Sequence, residues 1–162
     1  MDFCSIASGS SGNCTYTGTD ETALLVDAGI SARQIEKGLH SIDRTAEDID
    51  GILVTHEHSD HVRGLGVLSR RYGIPIYGTR GTLKAIANCS SLGQIDAGLY
   101  REIHVDQDFR VGDVTVHPFE IPHDAAQPSA YRLSHEDTSV AVVTDLGVFS
   151  DYIIENMKGL DA

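Results

Sequence analysis

The sequence has no tryptophan, four prolines and three cysteines, and its 12 basic side chains are outnumbered two to one by 24 acidic ones. Each shortage excludes something. Cys4, Cys14 and Cys89 are odd in number and show no Cys-x-x-Cys spacing, so a disulfide framework is not expected. No apolar run approaches the ~20 residues that a membrane helix needs. The N-terminal stretch "MDFCSIASGS" lacks the basic start and apolar core of a signal peptide. The expectation is a cytoplasmic, reduced protein with no membrane partner. A net charge of −12 is the wrong sign for a broad basic face that grips nucleic acid. A nucleic-acid substrate would have to be held locally, by metal ions and a few basic residues. The same acidity suits the gathering of cations.

What remains is ordinary globular composition, with 41% hydrophobic residues over a length of 162 that fits one domain. Repeats are absent. Runs 3–8, 14–18 and 22–29 have strand character and are joined by Gly, Ser, Asn and Asp turns. Ser31 and Gln34 form a capping box that opens a helix carrying Ile35, Leu39 and Ile42 on one face. The apolar run 50–56 predicts a buried strand, and 61–73 a helix with Val62, Leu65, Leu68 and Tyr72 inward. A short strand over 74–78 and a helix capped by Thr79 follow. The second half reads as strands at 109–121, with a Gly-Asp hairpin turn, at 129–135 and at 138–147. Ser150 then opens a last helix with Ile153, Ile154 and Met157 on its face. Alternating strands and helices followed by hairpins predict a layered α/β domain with helices outside.

Histidine is the residue present in unusual density. "LVTHEHSDHVRGLG" carries His56-x-His58-x-Asp60-His61 directly after an apolar strand. Imidazole nitrogens and carboxylate oxygens are ligands that zinc, manganese and iron accept. His56 and His58, two apart, can point the same way, and Asp60 and His61 can face the same hollow from the start of the next helix. A catalytic metal usually takes about three protein ligands, so others must arrive from elsewhere. His123 in "EIPHDAAQP" and Asp145 in "AVVTDLG" each stand at the end of a predicted strand and are candidates. His40, His104, His117 and His135 are expected to be structural or surface residues. Arg63, Arg70, Arg71 and Arg80 follow the motif and could meet phosphates, although solvated helix faces are the plainer reading for Arg70 and Arg71.

These residues resemble the metallo-β-lactamase-fold hydrolases. Asp27 in "LLVDAG" matches that family's early structural aspartate. The stretches "ASGSSGNC" (7–14), "THEHSDHVRGLGVLSRRYGIPIY" (55–77), "IPHDAAQPSAYRL" (121–133) and "VAVVTDLG" (140–147) are similar to the WalJ/YycJ-like branch of bacterial phosphodiesterases or DNA exonucleases. The resemblance implies an αββα sandwich and a two-metal centre. It assigns His56, His58 and His123 to one ion, Asp60 and His61 to a second, and Asp145 to a bridge. Asp27 then supports a ligand from behind, with Glu57 a weaker candidate expected to be solvated. Asp60 and Asp145 would take part in catalysis, Asp60 by orienting the nucleophile, and Ser10 and Asn13 would lie at the rim of the site.

The family's second metal also takes a histidine from a segment beyond Ala162. The sequence therefore reads as the N-terminal portion of a longer protein, an incomplete domain over 1–162. It would lack the C-terminal part of the sandwich's second half, hold its second metal weakly, and be able to self-associate through the unfinished edge. The resemblance implies two-metal hydrolysis of phosphodiesters, with DNA as the expected substrate. A small-molecule phosphodiesterase or ester/thioester hydrolase, and a metal-binding but inactive fragment, are the competing expectations.

Overall fold

A computed structural model describes all 162 residues. Strands β1 (Asp2–Ala7), β2 (Cys14–Gly18), β3 (Ala23–Val26), β4 (Gly51–Leu53), β5 (Ile76–Thr79) and β6 (Tyr100–Ile103) form one sheet in that order. The β1–β2–β3 end is antiparallel, and β3 to β6 run parallel. Strands β7 (Phe109–Val111), β8 (Val114–Glu120), β9 (Ser129–His135) and β10 (Thr138–Val142) form a second, antiparallel sheet.

Helices α1 (Ala32–His40), α3 (Leu65–Tyr72) and α4 (Arg80–Ala87) cover the outer face of the six-stranded sheet, and α5 (Asp151–Asn156) lies against β8 of the other. β3 shows how the layers follow from sequence. All four of its residues are buried because both faces are covered. Leu25 packs with Ile35, Leu39, Leu65 and Leu68 beneath the helices. Leu24 and Val26 pack with Val114, Val116, Tyr131 and Leu133 between the sheets. The fold is the expected αββα sandwich.

Four expectations change. The helix expected over 61–73 is two helices, α2 (Ser59–Val62) and α3, broken at Arg63 and Gly64. The Gly64 N–H leaves the helical path to donate to the Ala28 carbonyl at 2.8 Å, and a Cβ at Gly64 would strike the Ile30 carbonyl. Strand β6 was not anticipated, since only Ile103 of its four residues is buried and edge position leaves no periodic signal. β10 stops at Val142, so Asp145 lies in the following irregular segment rather than at a strand end. In α5 only Ile153 is buried; Ile154 and Met157 remain 48% and 37% exposed.

The chain reversals that matter follow the carboxyl ends of β3, β4, β8 and β10, which deliver Asp27, the histidine motif, His123 and Asp145 respectively. The two sheets are tied together there. The Ser129 N–H donates to the Thr55 carbonyl at 2.9 Å, and the Tyr131 hydroxyl to the Val54 carbonyl at 2.7 Å.

Candidate metal centre

The motif loop is held by backbone before any side chain contributes. Asn13 N–H donates to the Asp60 carbonyl (2.8 Å), Ala28 N–H to the His61 carbonyl (2.8 Å) and Gly29 N–H to the Asn13 carbonyl (2.7 Å). Gly29 is required, because a Cβ at that position would overlap the Asp60 carbonyl. Asp27 turns with φ of +63° and Asp145 with φ of +53°. Non-glycine residues adopt this left-handed region at a cost, and such strain concentrates at functional sites.

Two groups of three side chains then converge. In each group, one ligating atom from every member lies within 4.8 Å of the others. The first is His56, His58 and His123; the second is His56, His61 and Asp145. His123 Nε2 stands 3.3 Å from His58 Nδ1. Asp145 Oδ2 lies 2.9 Å from His61 Nε2 and 3.9 Å from His56 Nε2, and Asp60 Oδ2 is 3.6 Å from His61 Nε2. All six residues expected as ligands are therefore gathered in one place, with Asp60 just outside the second triplet.

Behind them stands Asp27, 1% exposed. Its Oδ1 accepts from the Thr55 N–H at 2.8 Å, and its Oδ2 from the Thr55 hydroxyl at 2.8 Å. Oδ2 is also 2.7 Å from His61 Nδ1. Burial pushes the Asp27 carboxyl up, against the pull of His61 and Thr55. Burial opposes charge on His61, but hydrogen bonding to Asp27 and the nearby Asp145 and Asp60 carboxylates outweigh it and raise the imidazole. A proton on Nδ1, facing Asp27, leaves the Nε2 lone pair directed at Asp145. This is the tautomer a metal ligand needs.

His56 is the opposite case. Burial, then repulsion from His61, His58 and His123, brings its pKa down to about 3. It stays neutral, with Nδ1 3.0 Å from the Thr55 hydroxyl and Nε2 buried without any hydrogen-bond partner. A buried polar atom left unpaired costs free energy, and three imidazoles packed with ring centroids 4.6 to 5.0 Å apart gain little from one another. A divalent cation answers both features. The donor set of imidazoles and carboxylates fits zinc, manganese or iron.

Some contacts were not foreseen. Thr55 links Asp27 to both His56 and His61, yet a threonine closing an apolar strand gave no warning beyond its place directly before the motif. Glu57 was expected to be solvated, but its Oε1 accepts the Ala126 N–H at 2.8 Å, so the motif loop grips the loop that carries His123. From the other side, the Gln127 carbonyl accepts from the Thr79 and Thr82 hydroxyls at 2.7 and 3.1 Å. Asn13 reaches the site, with Nδ2 3.2 Å from His61 Nε2, while Ser10 sits in the exposed turn beyond it. His117 pairs with Asp108 and His135 with Asp113, away from the cluster.

A family model described as a beta-lactamase superfamily domain matches residues 22–162. The chain belongs to this family. Solved structures agree on the fold: a class B3 di-zinc metallo-β-lactamase from an Alaskan soil metagenome superposes with a TM-score of 0.70 at 16% identity, covering 88% of this chain and 62% of that one. Among curated relatives, the exodeoxyribonuclease WalJ of Streptococcus pneumoniae is 42% identical over 157 residues, 95% of this chain and 58% of its own length. The exodeoxyribonuclease YycJ of Bacillus anthracis is 40% identical over 162 residues, 100% of this chain and 61% of its own length. The metallo-β-lactamase-fold chain thus spans about three fifths of the curated relatives it matches.

Proposed function

We propose that this chain carries the two-metal centre of a phosphodiesterase that acts on DNA as an exonuclease. The observation that carries the reading is the convergence of two three-residue ligand groups on one hollow, backed by a His61–Asp27 contact that presets the imidazole tautomer. An imidazole nitrogen has one lone pair, so His56, common to both groups, would serve one ion with His58 and His123, and His61 with Asp60 would serve the other. The Asp145 carboxylate, with two oxygens, would be available to both. Similarity to two proteins named exodeoxyribonucleases supports DNA as substrate. Histidine and carboxylate donors suit zinc, manganese or iron alike.

Divalent ions in such a centre acidify water and neutralise charge that develops on a phosphodiester. The protein's own part is positional. Asp27 keeps the His61 proton on Nδ1, burial keeps His56 neutral and available, and Glu57 fixes the loop that presents His123. Asp60, partly exposed 3.6 Å from His61 Nε2, would orient the nucleophile. The decisive assay compares hydrolysis of linear DNA, RNA and bis(p-nitrophenyl) phosphate by metal-loaded protein. Mononucleotide release from DNA, abolished in Asp145→Ala, is expected. Turnover of the small diester alone would replace DNA with a small-molecule substrate.

A further inference from the structure

Four arginines follow or neighbour the histidine motif, and the fold separates their uses. Arg70 Nη1 donates to the Leu92 and Gln94 carbonyls at 2.6 and 3.2 Å, and Arg71 pairs with Glu36 at 2.6 Å. Both are spent on structure. Arg80 is exposed at the start of α4. Arg63 makes no ion pair and no side-chain hydrogen bond, and it borders a cavity that reaches the motif.

That cavity, of about 530 Å³, lies between α2 and the turn at 89–92. Val62, Cys89 and Leu92 give its apolar lining, and Ser59, Ser91, Arg63 and the Glu57 carboxylate its polar lining. Glu57 Oε1 is already engaged by the Ala126 N–H. One wall is His58, a member of the first ligand group. The size falls within the ~300–1,000 Å³ of small-ligand pockets, which pair apolar lining with a few polar groups. The Arg63 guanidinium, exposed and without a protein partner, is free to meet an anion. Arg63 N–H donates to the Ser59 carbonyl at 3.1 Å and Gly64 N–H to the Ala28 carbonyl at 2.8 Å, so its backbone is fixed two positions from His61 while the side chain stays exposed.

We infer that this cavity is a nucleotide subsite: its apolar lining takes the face of a base, and the Arg63 guanidinium takes the phosphate of the nucleotide next to the one being cleaved. Guanidinium groups suit this task because their planar donors match two phosphate oxygens at once. The assignment rests on the phosphodiesterase reading for its place in the reaction, and it supplies locally the cationic contact that the acidic surface denies to nucleic acid.

The test separates binding from turnover. Deoxyadenosine monophosphate is titrated into metal-free, chelator-treated protein and followed through backbone amide NMR signals. Saturable shifts at Ser59, Arg63, Ser91 and Leu92 are expected, with affinity at least tenfold weaker in Arg63→Ala and partly recovered in Arg63→Lys. Ser91→Trp, a surface change that fills the cavity, should abolish the shifts while leaving zinc uptake intact. Unchanged affinity in Arg63→Ala, or shifts confined to His56, His61 and His123, would overturn the subsite. Nucleotide binding that persists in a protein with no DNA hydrolysis would remove the phosphodiesterase reading and leave the subsite standing.

Discussion

At the scale of single residues, the site depends on groups that hold the ligands as much as on the ligands. Asp27 is buried and receives three contacts, from the Thr55 N–H, the Thr55 hydroxyl and His61 Nδ1. Asp27→Asn keeps the shape but replaces an acceptor with a donor. Leaving a buried donor unpaired costs about 1–3 kcal/mol, and losing the partner behind a metal-bound histidine typically weakens metal binding by about 10–100-fold. Urea unfolding of metal-free protein and competitive zinc titration would read the two losses separately. Glu57 acts one loop further away. Glu57→Ala is expected to speed hydrogen exchange at the Ala126 amide in metal-free protein and to weaken the His56/His58/His123 site, while Glu57→Gln, which keeps an acceptor oxygen, restores both.

His56 gives the metal-free protein a defined pH response. Its imidazole takes a proton near pH 6.5 when unfolded and only near 3 in the fold, where burial and three neighbouring imidazoles disfavour the charge. Between those values the unfolded chain binds more protons, so stability falls as pH is lowered from about 6.5 towards 3. Urea midpoints from pH 7.5 down to 4 should decline, and decline less in His56→Asn. Equal slopes in the two proteins would show that His56 is not the group responsible.

At the scale of elements, the backbone around Gly29 sets the motif loop against β3. A Cβ at this position would overlap the Asp60 carbonyl. Gly29→Ala must displace the start of α2 and is expected to cost roughly 1–3 kcal/mol as an overpacked site, and to cost the His61-side ion before the other. Thermal unfolding with and without zinc would check both.

The elements also show where sequence reading reaches and where it stops. The capping box at Ser31–Gln34, the apolar stripe of Ile35 and Leu39 and the Gly112–Asp113 hairpin are local signals, and each appears where the local chemistry requires it. The break at Gly64 is not local. It exists because the Ala28 carbonyl, 36 positions earlier in sequence, accepts the Gly64 N–H. β6 pairs with β5 through backbone at an edge and leaves three of four side chains part or fully exposed. The gathering of His56, His58, Asp60, His61, His123 and Asp145 was legible through ligand type, motif density and family resemblance. Thr55 and the Glu57–Ala126 contact were not, because a hydroxyl and a carboxylate at those positions have many other uses.

At the scale of the whole molecule, an αββα sandwich brings the carboxyl ends of strands from both sheets to one edge, where imidazoles and carboxylates meet. Metal binding is linked to folding: anything that binds only the native state raises stability by RT ln(1 + [L]/Kd). Zinc in excess should therefore raise the unfolding midpoint, and His123→Ala should abolish most of that gain. The central claim is that the two overlapping groups, which share His56, hold two ions, with Asp145 available to both. The most direct test is metal stoichiometry of the 162-residue chain by calorimetric titration and elemental analysis, together with His123→Ala, His61→Ala and Asp145→Ala. Two ions per chain are expected, the tighter one lost in His123→Ala, the weaker one lost in His61→Ala, and both weakened in Asp145→Ala. A parent chain that binds a single ion or none, or a His61→Ala variant that still binds two, would contradict it.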